Sequence, residues 1–247
     1  MEHLSDPPPV ASQSDRSPAG LGNGPLSPLT LGLVACSGIG PLLWTATYLL
    51  EGATRPGYDA SQQPISALSL GPGGWVQQAN FVVFGVLTLL SAFGWYRVLR
   101  PGRACIGFPL FQGISGLSLI GAGVFSLDPN PGYPPGAVLT APTVHGTLHV
   151  VFAYIVILAL AGGCFVFARR FAREPRWRGW AAYSVITGVL ILVFFWLFLN
   201  SASTGLPGGL VERLSAEAHS LWSFLLTAAL LFRKRPGAET TKQEGVG

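Results

Sequence analysis

A chain of 247 residues in which 49% of side chains are hydrophobic and only 11% charged, with a mean hydropathy of +0.47, lacks the polar surface that folding in water requires. The solvent it fits is a bilayer. Its 15 basic residues outnumber its 11 acidic ones, but they lie in short clusters between apolar runs rather than on one basic face, so nucleic acid is excluded as a partner.

Residues 1–28 contain six prolines among Ser and Gly, with no apolar block, and read as a disordered cytoplasmic tail rather than a cleaved signal peptide. A helix needs about 20 mostly apolar residues to cross roughly 30 Å of hydrocarbon. Six stretches qualify: 29–50, 75–97, 104–127, 142–168, 180–199 and 210–232. Pro41 in the first and Pro109 in the third remove a backbone donor, which is tolerated where a neighbouring helix satisfies the freed carbonyl. The third stretch places Gly107, Gly113, Gly116, Gly121 and Gly123 at close intervals, the pattern that lets helix backbones approach in lipid, and is expected to be the central helix.

Thr140 is expected to cap the fourth stretch, with Pro142 in its first turn. Phe194, Phe195, Trp196 and Phe198 on the fifth offer a bulky lipid-facing surface. The sixth begins with Glu212, Arg213, Glu217 and His219 before its continuous apolar run. Glu217 is expected to pair with Arg213 one turn earlier, and Ser215 to share a face with His219 as its hydrogen-bond partner. Trp44, Trp75, Trp95, Trp177, Trp180 and Trp222 fall near the ends of stretches, where tryptophans anchor helices at the water boundary. Cys36, Cys105 and Cys164 have no metal-binding or disulfide spacing and read as packing residues. Residues 233–247 form a second disordered tail, leaving 29–232 as one membrane domain.

Positive charge orients the spans. With both termini in the cytoplasm, all basic residues but Arg55 and Arg213 fall on the inner side. The expected fold is therefore all-α, a polytopic bundle of six transmembrane helices in the cell (inner) membrane. The outer side then holds the 51–74 loop, the Pro- and Gly-rich 128–141 segment and the 200–210 turn.

Ionisable residues gather on that outer side. His145 and His149 stand four apart on one helix face, a spacing that holds one metal ion; His219 lies at similar depth on the sixth span, and Asp128 follows the third. Polar groups at such depth are costly and face a cavity or a partner. Three readings stay open: a metal or catalytic cluster, a structural polar network, and ligand binding without chemistry.

Several motifs read together carry a resemblance. They are Ile65-Ser66-Ala67-Leu68-Ser69-Leu70-Gly71, Gly74-Trp75-Val76-Gln77, Asn80-Phe81, Asp128-Pro129, Gly132-Tyr133-Pro134-Pro135-Gly136, Gly146 with His149, and Gly179-Trp180 with Tyr183-Ser184. Across 30–232 the chain resembles the bacterial and archaeal six-helix membrane proteins called domain of unknown function 998. The resemblance implies an integral membrane protein, with no established activity and no catalytic residues to carry over; His149 is the histidine that fits its pattern. More loosely, Ser215 four residues before His219, Asp128, and the His145/His149 pair are similar to the motifs of the alkaline ceramidase-type membrane metal hydrolases, which have seven spans and the motifs in another order. That likeness implies zinc on His145, His149 and His219, a water activated by Asp128, an oxyanion stabilised by Ser215, and a lipid amide or ester as substrate. The leading expectation is an outward polar cavity that binds a lipid or a membrane-protein partner; the alternative is the zinc-dependent hydrolase.

Overall fold

The computed structural model describes residues 26–100, 104–139 and 141–232, so residues 1–25 of the expected first tail, 101–103, Thr140 and the second tail lie outside the described residues. Seven helices follow in order: α1 (Pro28–Thr54), α2 (Trp75–Val98), α3 (Ala104–Val124), α4 (Val144–Phe171), α5 (Arg178–Leu199), α6 (Ser201–Thr204) and α7 (Gly208–Leu231). All but the single turn α6 are 21 to 28 residues long and apolar enough to cross a membrane. Among the described residues the only strand-like pairing is an isolated bridge between Asn130 and Tyr133. The protein is an all-α, polytopic membrane protein with six spans.

Local chemistry sets the helix starts. Ser27 accepts the Thr30 N–H at 3.2 Å with Pro28 in the first turn of α1, and Thr143 accepts the Gly146 N–H at 3.0 Å to begin α4. The observed cap of α4 is thus Thr143, three residues beyond the expected one.

The six long helices form a closed ring. Each packs mainly on two neighbours, in the order α1, α2, α3, α4, α5, α7, and α7 returns to α1. No helix is central. The glycines of α3 instead seat it in the wall: a Cβ on Gly85 of α2 would lie 2.6 Å from the Gly116 carbonyl oxygen, and one on Gly123 would lie 2.8 Å from that of Gln78. Backbone meets backbone there, as helices in lipid require. Pro41 leaves the Ser37 carbonyl without its helical donor, and Ser223 of α7 supplies one at 2.7 Å.

One half of the ring is filled by aromatic rings. Trp95, Phe108, Phe167 and Trp222 meet edge to face with centroids 5.3–6.1 Å apart, and Phe171 continues the stack to Trp177. This half adjoins the end where Arg97, Arg100, Arg169, Arg170, Arg173 and Arg178 cluster, the arginine end. Four of the tryptophans expected at the water boundary, Trp44, Trp95, Trp177 and Trp222, are therefore core residues. Two of their indole donors are satisfied inside, that of Trp95 by the Ser37 hydroxyl at 3.1 Å and that of Trp222 by the Ser184 hydroxyl at 2.9 Å. Trp75 is 69% exposed, as an anchor requires. The three cysteines are free thiols.

At the opposite, loop-rich end, segments 55–74, 125–139 and 141–143 fold over the ring. Arg55 pairs with Glu51 at 2.7 Å and donates to the carbonyls of Leu68 and Pro72. Arg213 donates to those of Ala60, Gln63 and Gly209 and to the Tyr58 hydroxyl. The expected Arg213–Glu217 pair does not form. Glu217 accepts from Thr45 and Tyr48 of α1 at 2.8 and 2.7 Å, because loop carbonyls claim the arginine and α1 supplies two hydroxyls.

Candidate functional site

Between the aromatic half and the loop-rich end the ring encloses a cavity of about 330 Å³. Its roof is Pro64, Ile65 and Ser66, at the start of the 3-10 turn Ile65–Ser69. Its floor and walls are mostly apolar, with Trp44, Phe81 and Phe84 prominent. Polar groups converge from two helices, His149 of α4 and Glu212, Ser215, His219 and Ser220 of α7. A mostly apolar cavity with a few convergent polar groups is the form of a small-molecule site.

One wall is thin. On α5 nothing beyond Ile191 is buried, and on α4 nothing between His149 and Val156. The cavity is bounded there by Val150 and Tyr154, 36% and 40% exposed, and by half-buried Phe195 and Phe198. Phe195 and Phe198, expected only on the lipid face, thus also line the interior.

His149 is buried against the edge of Phe81, and its Nδ1 lies 2.8 Å from the carbonyl oxygens of both Ala122 and Phe125. That nitrogen must carry the proton, which leaves Nε2 as the acceptor in the neutral ring. The ring ties α4 to the end of α3. His219 also faces the cavity and makes no hydrogen bond among the described residues; its ring leans on Trp222 at 5.8 Å. Ser215 donates to the Ile191 carbonyl at 3.1 Å, across to α5, rather than to His219.

His145 stands outside the cavity, exposed, with its ring on the edge of Phe125. Asp128 is engaged with backbone: Oδ2 accepts the Thr143 N–H at 2.9 Å and Oδ1 the Thr143 hydroxyl at 2.6 Å. The Thr143 hydroxyl, then its amide, hold the Asp128 carboxyl below its ordinary range. Nearby, burial pushes the Tyr58 hydroxyl up to about 12 despite Arg213 beside it. The structure therefore brings His149, Ser215 and His219 to one cavity and leaves His145 and Asp128 out of its lining. Among the described residues no group of three or more His, Cys, Asp or Glu is arranged to hold a metal ion.

Glu212 is the residue that sequence reasoning passed over as a site. Its Oε2 accepts the Ile65 N–H at 2.6 Å, so the same carboxylate holds the roof and faces the cavity. The signal was an acid in the first turns of an apolar span, four residues before neither a Lys nor an Arg.

A family model described as protein of unknown function (DUF998) matches residues 38–229, from within α1 to within α7. No curated protein and no solved structure matches the chain. The chain belongs to that family.

Proposed function

We propose, with membership of that family as the premise, that the protein is a binding protein of the cell (inner) membrane, both termini cytoplasmic, which takes a lipid into its cavity from the bilayer. The observation that carries this reading is the thin wall between α4 and α5. Side chains there face the hydrocarbon and the cavity at once, so a chain can enter sideways while its polar end meets His149, Glu212 and His219. The arginine end supports the orientation, since such clusters are retained in the cytoplasm. The loop-rich end, with the cavity beneath it, then faces outward. Residues 29–232 act as one membrane domain.

Ala153 lines the cavity beside that wall. Ala153→Trp is expected to fill it, so that native mass spectrometry of protein drawn from its membrane without detergent shows bound lipid on the wild type and none on the variant. Equal lipid on both would sink the reading.

A second reading, a zinc-dependent hydrolase of a lipid amide or ester, is favoured by His149, Ser215 and His219 lining one cavity. It further asks His145 and Asp128 to leave Phe125 and Thr143. Metal analysis of the purified protein decides: stoichiometric zinc lost in His149→Ala supports it, and metal well below one per chain, unchanged in that variant, ends it.

A further inference from the structure

The charges facing the cavity are all of one sign. Glu212 is the only formally charged side chain lining it, with no Lys or Arg among the lining residues. We infer that the ligand is a single-chain amphiphile whose polar end is an ammonium group held at Glu212; this rests on the lipid-binding reading and specifies its ligand.

Four observations converge on it. First, the carboxylate is unpaired: among the described residues the only ion pairs join Arg55 to Glu51 and Arg170 to Glu174, and Arg213 beside it is committed to the carbonyls of Ala60, Gln63 and Gly209. Oε2 takes the Ile65 N–H, and Oε1 makes no hydrogen bond among the described residues. A carboxylate within a span is costly until a cation or donor meets it.

Second, two of the polar groups that share the cavity with it present acceptors. His149 donates through Nδ1 and is left with Nε2, and Ser215 gives its proton to Ile191 and is left with lone pairs. Among the described residues, Nδ2 of Asn130 and the one N–H of the neutral His219 ring are lining donors without a partner. A phosphate would meet the Glu212 carboxylate with no Lys or Arg lining the cavity to offset it, whereas an ammonium brings that carboxylate both an opposite charge and a donor.

Third, the aromatic side chains of Trp44, Phe81 and Phe84 line the same space, and aromatic rings attract cations rather than anions through their faces. Fourth, about 330 Å³ is near the lower end of ligand pockets, which run from about 300 to 1,000 Å³, and suits one chain rather than two.

The test uses the full chain in nanodiscs of phosphatidylcholine, a bilayer without primary ammonium groups. Dodecylammonium and dodecyl phosphate are added at equal concentration, and the amount of each on the protein is read by native mass spectrometry against empty nanodiscs. The wild type is expected to hold at least about tenfold more ammonium than phosphate, because one unscreened charge contact in a poorly solvated site exceeds that ratio. Glu212→Gln, whose amide oxygen still accepts from Ile65, is expected to bring the ratio to within about twofold of unity. Equal occupancy on the wild type, or a preference that survives in Glu212→Gln, overturns the ammonium assignment and leaves lipid binding standing. Neither probe on the wild type overturns both. The wild-type ratio decides even where the variant does not fold.

Discussion

Gly146 is where a single hydrogen atom sets the shape of the loop-rich end. A Cβ there would lie 2.0 Å from Oδ2 of Asp128, so the carboxylate reaches Thr143 only because this position has none. Asp128 and Thr143 together hold the first turn of α4, and with it His149. Because the folded pKa of Asp128 is depressed, its contribution is present above the ordinary aspartate value of about 3.9 and is lost as pH falls through the lower folded value. The melting temperatures of wild type and Asp128→Ala should therefore differ near neutrality and converge in acid, with Gly146→Ala tracking the variant. A gap that persists unchanged in acid would show that the carboxylate's charge has no part in the cap. At this scale the sequence was legible in kind more than in role. That Asp128, His149 and His219 sit together at one end follows from their depth along each span, but whether a polar group meets a ligand or a carbonyl depends on neighbours tens of residues away. Arg55 and Arg213 show the same limit: charge bias marked them as the exceptions to the inner cluster, and only the folded loop shows that backbone carbonyls hold them.

The joint between α1 and α7 shows what an element needs when its backbone is interrupted. Pro41 deprives the Ser37 carbonyl of its donor, and Ser223 supplies one from the facing helix, while the Ser37 and Thr227 hydroxyls share a hydrogen bond at 2.8 Å. Ser223→Ala should destabilise the protein by about 1 kcal/mol, the usual scale for an interhelical hydrogen bond in lipid. In a Pro41→Ala background, where the helix regains its own donor, the same substitution should cost markedly less, and the double-mutant cycle in thermal melts measures the difference. Additive costs would show that Ser223 acts elsewhere. Helix positions were the most legible part of the fold, since each span is a long apolar run bounded by Pro, Gly or Arg. Neighbour order was not. The glycine pattern of α3 correctly announced close packing, but a small-residue face fits a wall helix lying on α2 as well as a central one.

For the whole molecule, the direction of insertion is the property that composition and charge address most directly. Cysteines introduced singly at positions in 52–72 and 130–138 should react with an impermeant thiol reagent added from outside intact cells, and those near Arg100 or Arg173 only after the membrane is opened. Labelling of both loops solely from the cytoplasmic side would reverse the arrangement. A polar cavity was expected from the depth of the ionisable residues, but its mostly apolar lining and its bounds were not legible: they exist only because the six helices close a ring whose aromatic filling stops halfway, and no stretch of sequence records where a filling stops. Five of the six joints in that ring lie between helices that follow one another along the chain. The sixth, between α1 and α7, is made by the first span and the last, through Thr45, Tyr48 and Ser37 on one side and Glu217, Ser223 and Thr227 on the other. During synthesis, spans emerge in order. Until α7 arrives the ring is an open arc, with the hydroxyls of α1 turned toward lipid and neither Glu212 nor His219 yet present. α7 both shuts the wall and brings Glu212 and His219 to the cavity, so a chain stopped before it would lack the enclosed cavity.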